Sequence, residues 1–171
     1  MAADRNQGWR EAALTGLVER HRTALVRMCC LCLGDASLAE DAAQETFLKA
    51  YRALDSFRGE CDEKTWLMRI AINTCRDYHR TAWLRHVDRG TPLEALPETG
   101  AEDAHPDGEV IRVVTALPRR EREAVLLRYY QEMTIAEAAQ ALRISQSAVK
   151  QRLQRANRRL RDRLKEWYYD A

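Results

Sequence analysis

Residues 134–165 read TIAEAAQALRISQSAVKQRLQRANRRLRDRLK, and this stretch decides the fold. Thr134 and Glu137 have the spacing of a capping box, which opens a short helix carrying Ile135, Ala138, Ala139 and Leu142. Ser145 then offers an N-cap for a second helix, whose apolar positions Val149, Leu153, Ala156, Leu160 and Leu164 recur every three or four residues and define one buried stripe. A short helix, a brief turn and a longer helix make a helix-turn-helix pattern. The side of the longer helix opposite its stripe carries Gln151, Gln154, Arg155, Arg158 and Arg161, with Lys150, Arg152 and Arg159 on the flanks. Residues 143–165 hold nine bases and one acid. Glutamine can read adenine bidentately in the major groove, and arginine reads guanine or binds phosphate, so the spacing predicts a helix that reads duplex DNA. The competing reading is a basic surface for an acidic protein. Upstream, Pro118 suits the first turn of a supporting helix through Ala124, Val125, Leu126 and Leu127.

The rest of the composition agrees with helix. Ala and Leu number 44 of the 171 residues against 13 for Val and Ile, and Gly and Pro together only 11, which favours helix over sheet. The expected fold is all-α. No uncharged run exceeds seven residues, far short of the roughly 20 apolar residues that span a bilayer, so neither a membrane span nor a secretory signal is expected. The net charge of +2 conceals a segregation: residues 1–90 sum to +1, residues 91–110 to −6 and residues 111–171 to +7. The acidic stretch also holds Pro92, Pro97, Gly100, Pro106 and Gly108 and reads as a linker. Two helical domains follow, over 9–86 and 111–168, joined by an acidic tether over 87–110.

In the N-terminal domain, Leu14, Leu17, Val18, His21, Leu25, Met28 and Cys32 mark one face of a helix ending near Gly34. Ser37 and Glu40 have capping-box spacing for a second helix, in which Asp41, Gln44 and Glu45 lead into Phe47, Leu48, Tyr51 and Leu54. After a break over residues 57–60, a third helix over 65–80 has a core stripe of Leu67, Ala71, Thr74 and Tyr78. Another of its faces carries Trp66, Arg69, Asn73, Arg76 and Arg80. Guanidiniums neutralise phosphate and aromatics stack on unpaired bases, as in proteins that hold single-stranded nucleic acid. The same pattern also fits a solvated basic face with Trp66 tucked into the core.

Three strings in this order, DAAQETFLKAYRALDSFRGE (41–60), TWLMRIAINTCRDYHR (65–80) and SQSAVKQRLQRANRRLR (145–161), resemble bacterial sigma-70 family factors of the small extracytoplasmic-function group. The resemblance is collinear over residues 14–164. It implies that the N-terminal domain is region 2-like and the C-terminal domain region 4-like. Asp41, Gln44, Glu45 and Leu48 would then dock on the β′ clamp helices of RNA polymerase, and the C-terminal domain would meet the β flap. The loop with Phe57, Arg58 and Gly59, together with Trp66, Arg69, Asn73, Thr74, Arg76 and Arg80, would hold the opened minus-ten strand and a flipped base, whose unstacking costs about a few kcal/mol. Lys150, Gln151, Gln154, Arg155 and Arg158 would face the minus-thirty-five duplex, with Arg152 on phosphate. The acidic linker would lie in a basic channel of the polymerase. The resemblance further implies a cognate anti-sigma factor, often membrane-bound, a stress-response role and a cytoplasmic location. Arg143 stands where the family usually has glycine, so the turn must change geometry or hold arginine in the left-handed region. Asn157, Gln151 and Gln154 also depart from common choices, so no relative's promoter sequence is borrowed.

Cys29, Cys30 and Cys32 lie within one helix, a spacing that does not aim three thiolates at one metal, and they read as small buried hydrophobes. Cys61 and Cys75 lie in the loop and the third helix. His21, His79, His86 and His105 form no catalytic or metal-binding group, and no phosphate-binding loop, dinucleotide fingerprint or nucleophile elbow occurs. No cofactor, metal or enzymatic activity is expected, and no regulatory extension after Ala171. Two alternatives stand beside the initiation-subunit reading: a dimeric DNA-binding regulator acting alone, and a module whose basic helix binds an acidic protein. The Asp41, Gln44 and Glu45 surface and the loop at 57–59 are what a stand-alone regulator does not need.

Overall fold

The computed structural model describes residues 2–88 and 106–170, with side chains over 7–82 and 110–164. The described residues form helices and no strand. Helix α1 (Ala2–Leu33) ends where Gly34 takes a left-handed conformation (φ 69°) and its N–H reaches back to the Cys30 carbonyl at 2.8 Å. Helix α2 (Ala36–Ala53) is capped by Asp35, whose carboxylate accepts from the Leu38 N–H at 2.9 Å. This corrects the expected Ser37 cap: the chain needs only one linking residue after Gly34, so the first side-chain acceptor serves and Ser37 falls inside the first turn. A single 3-10 turn (Leu54–Ser56) leads into the loop, and α3 (Glu63–Asp88) follows.

Helices α1, α2 and α3 pack together through Leu17, Leu25, Met28, Ala39, Ala42, Ala43, Phe47, Leu67, Met68, Ala71 and Ile72, all buried. The run of alanines on α2 lets it lie close against α1. Full burial of each large aliphatic contributes about 1.5–3 kcal/mol.

The C-terminal helices are α4 (Pro106–Thr115), α5 (Arg119–Val125), α6 (Ile135–Leu142) and α7 (Gln146–Asp170). Helix α5 runs on into a π-helical turn (Leu126–Tyr130). The expected linker therefore narrows at both ends. Helix α3 continues past 86, and α4 opens at Pro106, because proline's fixed φ and missing N–H suit the first position of a helix. Residues 89–105, with His105 and most of the acidic tether, lie outside the described residues.

The two helical regions pack against each other. Helix α6 packs on α3, and α4, α5 and the π turn reach α1. One continuous apolar core runs from Leu17 and Leu25 on α1 through Met68 and Ile72 on α3 to Leu127, Ala138, Leu142, Val149 and Ala156.

Candidate protein and nucleic-acid interfaces

Helix α2 buries Ala39, Ala42, Ala43, Thr46, Phe47 and Ala50, which turns Asp41, Gln44 and Leu48 outward. Leu48 is 48% exposed, an aliphatic side chain held in water beside acidic and amide neighbours. Glu45 is half-buried and pairs with Lys49 at 3.0 Å. The Lys49 ammonium also reaches the Asp77 carboxylate and the Thr74 hydroxyl, both at 3.3 Å, and Asp77 accepts from Arg80 at 3.1 Å. Burial opposes the charge on Lys49, but its bonds to Glu45 and Asp77 outweigh that and raise its pKa. A chain of charges thus links the outward face of α2 to α3. Sequence reasoning missed Lys49 and Asp77, because the contacts join positions 28 residues apart.

The loop before α3 is shaped by Gly59, left-handed at φ 74°, and pinned by Phe57, whose ring stacks on Trp66 with centroids 4.6 Å apart and planes at 26°. Trp66 is only 6% exposed. This corrects its assignment as a base-stacking residue: its first neighbour is Phe57, and it serves as the buried base under the loop, leaving Arg58 and Gly59 exposed. Thr74 is corrected likewise. It is fully buried, its hydroxyl donating to the Ile70 carbonyl at 2.9 Å and accepting from Lys49, so it presents nothing to a strand. Asn73 and Arg80 are exposed and Arg69 is half-buried. Arg76 is half-buried and spends its guanidinium on Glu123 of α5, with bonds of 2.9 and 2.6 Å.

The helix-turn-helix is built as its sequence requires. Thr134 and Glu137 form the full capping box, with the Glu137 carboxylate held below its ordinary pKa by bonds from the Thr134 N–H and hydroxyl. Ser145 caps α7 by accepting from the Ala148 N–H at 3.1 Å. Arg143 takes the left-handed conformation (φ 54°, ψ 46°), and the Ile144 N–H bonds the Ala139 carbonyl across it at 3.1 Å. The turn geometry is thus kept despite the missing glycine. With Val149, Leu153 and Ala156 buried, Lys150, Gln151, Gln154, Arg155 and Arg158 form an exposed row. Arg152 departs from that row: it is half-buried, burial lowers its pKa, and one of its guanidinium nitrogens is buried without a hydrogen-bond partner. Asn157 donates to the Tyr129 hydroxyl at 3.4 Å.

The five cysteines are free, and Cys29, Cys32 and Cys75 are buried together. A hydrogen bond with Cys75, then burial, pushes the Cys32 thiol well up; a hydrogen bond with Cys29 is the largest cause of the rise at Cys75. Such thiols are poor nucleophiles. Among the described residues no group of three or more His, Cys, Asp or Glu is placed to hold a metal ion, and no helix is long and apolar enough to cross a membrane.

Comparison with known proteins matches residues 17–85 to the Sigma-70 region 2 family and residues 107–160 to the Sigma-70, region 4 family. The ECF RNA polymerase sigma factor SigL of Mycobacterium tuberculosis is 35% identical over 162 residues, covering 91% of this chain and 92% of that protein. The structure of CnrH in complex with the cytosolic domain of CnrY is similar with a TM-score of 0.69 at 28% identity, covering 91% of this chain and 90% of that one. The sigma factor RpoE of Bartonella quintana, solved with the anti-sigma factor NepR, shares the fold with a TM-score of 0.73 at 22% identity, covering 88% and 96%.

Proposed function

The chain belongs to the extracytoplasmic-function group of sigma-70 family RNA polymerase sigma factors, and from this premise we propose how its surfaces divide the work of promoter-directed initiation. A sigma factor is not an enzyme: it joins core RNA polymerase, lends it promoter specificity and helps open the DNA. The α2 stripe of Asp41, Gln44, Glu45 and Leu48 docks on the β′ clamp helices, and the C-terminal domain meets the β flap. The loop carrying Phe57, Arg58 and Gly59, with Asn73, Arg69, Arg76 and Arg80 on α3, holds the opened minus-ten strand. Lys150, Gln151, Gln154, Arg155 and Arg158 face the minus-thirty-five duplex, with Arg152 as a phosphate contact once it is released from the position described above.

The observation that carries this division is Leu48, held 48% exposed in the acidic stripe of α2. A partner that buries such a group gains an apolar anchor, so Leu48 fits a docking face that a regulator acting on DNA alone does not need. The family supports a cognate anti-sigma factor as a further partner, as does the likeness to CnrH bound to the cytosolic domain of CnrY. The work of such a subunit is cytoplasmic, where RNA polymerase acts.

Run-off transcription tests the proposal. Core polymerase supplemented with this chain produces defined start sites from a promoter library, and core polymerase alone does not. If the chain creates no start site while protecting duplex DNA unaided, the stand-alone regulator replaces this reading.

A further inference from the structure

The seam between the two family regions is made from residues with another task. Arg76 of α3 meets Glu123 of α5 through two parallel bonds, Nε to Oε1 at 2.9 Å and Nη2 to Oε2 at 2.6 Å, and the Glu123 side chain is only 4% exposed. A carboxylate offers a guanidinium the same pair of oxygens that a phosphodiester does. Toward the start of α3, the Lys64 ammonium donates to the Gln131 carbonyl at 2.5 Å, and the buried Gln131 amide donates to the Ala24 carbonyl at 3.3 Å, tying α1 and α3 to the far side of the seam.

Arg152 of α7 feels the charges of Glu123, Arg120 and Arg76, and it leaves one buried nitrogen unpaired. Arg76 and Arg152 each belong to one of the two DNA-facing surfaces, and Arg76 is the one bonded to the carboxylate. The rest of those surfaces, Asn73 and Arg80 on α3 and Lys150, Gln151, Gln154 and Arg155 on α7, stays exposed.

We propose that Glu123 is an internal stand-in for DNA phosphate, a latch that holds the free chain closed and occupies Arg76 until the two regions part. The proposal rests on the assignment of α3 to single-stranded DNA. Closure and strand binding exclude each other at Arg76, because one guanidinium edge cannot serve a carboxylate and a phosphate at once. Without Glu123 the half-buried Arg76 guanidinium would face α5 with no counter-ion, and an unpaired charge taken out of water opposes closure. The affinity of the free chain for DNA is then reduced by the fraction that is closed.

The test uses the full chain without polymerase, comparing wild type with Glu123→Gln by small-angle scattering and by binding to a random-sequence single-stranded oligonucleotide at low salt. The variant is expected to show a larger radius of gyration and about tenfold tighter strand binding, as when a state populated at roughly a tenth becomes dominant. A second pair of variants guards against misfolding: Arg76→Glu alone opens the chain, and Arg76→Glu combined with Glu123→Arg restores its compactness. An unchanged radius in Glu123→Gln, or no restoration in the double variant, overturns the latch. An opened chain with unchanged strand affinity overturns the assignment of Arg76 to DNA, and the competition with it.

Discussion

Arg143→Gly should stabilise the protein, and the turn shows by how much. Arg143 sits at φ 54° and ψ 46°, where the side chain's first carbon crowds the following carbonyl. An L-residue pays roughly 1–2 kcal/mol there. The conformation persists because it satisfies the end of α6: the Arg143 N–H bonds the Gln140 carbonyl at 3.3 Å and the Ile144 N–H bonds the Ala139 carbonyl at 3.1 Å, while half-buried Ile144 packs against the core. Glycine removes the strain but enlarges the entropy of the unfolded chain by about 0.4–1 kcal/mol. The balance is a gain of about 0.5–1 kcal/mol, which for a chain of this size raises the melting temperature by roughly 1–4 °C. Arg143 is exposed, so little packing is lost. Thermal unfolding followed by circular dichroism measures the shift, with Arg143→Ala as the control that keeps the β-carbon and gains nothing. A melting temperature for Arg143→Gly equal to or below wild type, or an equal gain in Arg143→Ala, would refute the strain account.

Three further outcomes follow from the surfaces and the seam. Leu48→Asp should weaken core polymerase binding by roughly 30-fold, about 2 kcal/mol, without lowering the melting temperature, as fluorescence anisotropy with labelled protein would read; unaltered affinity would remove α2 from the docking surface. Asn73→Ala should slow promoter opening by about tenfold, near 1.4 kcal/mol in the barrier, while leaving closed-complex affinity intact, measured by permanganate reactivity beside gel shift; equal losses in both would sink its role on the opened strand. Burial, partly offset by the bond to the Cys32 carbonyl, holds the His79 pKa low, with Arg119 and Arg122 adding to the same direction and Glu123 opposing it. Because the folded value lies below the unfolded value near 6.5, the unfolded chain binds the extra proton. The contribution of His79 is complete above about pH 6.5 and is lost as pH falls from there through the folded value. His79→Gln should flatten the melting temperature against pH over that window, and a profile parallel to wild type would exclude the histidine as its source.

Most of the helices were legible because the signals that make them are local. The capping box at Thr134 and Glu137, the Ser145 cap, the stripe from Val149 to Ala156 and the glycine stop at Gly34 each depend on neighbours within a turn or two, and all appear as read. Where local signals competed, position chose. Asp35 displaced Ser37 as the cap because it was the first acceptor after the turn. The exposed rows on α2 and α7 were readable for the same reason, since burial of one face fixes which residues are left outside.

The sequence by itself determined an all-α chain, the two regions and the residue types on each surface, because helical period and capping are properties of short segments. Only the tertiary structure decided that Trp66 lies under Phe57, that Thr74 is buried, and that Arg76 pairs with Glu123. Those outcomes depend on which helices meet and at what rotation. Arg76 and Glu123 are 47 residues apart, and the charge pattern of each helix is equally consistent with an arginine in water, on a phosphate or against a carboxylate. Burial made the choice, because a carboxylate taken out of water must find its counter-charge in whatever packs against it.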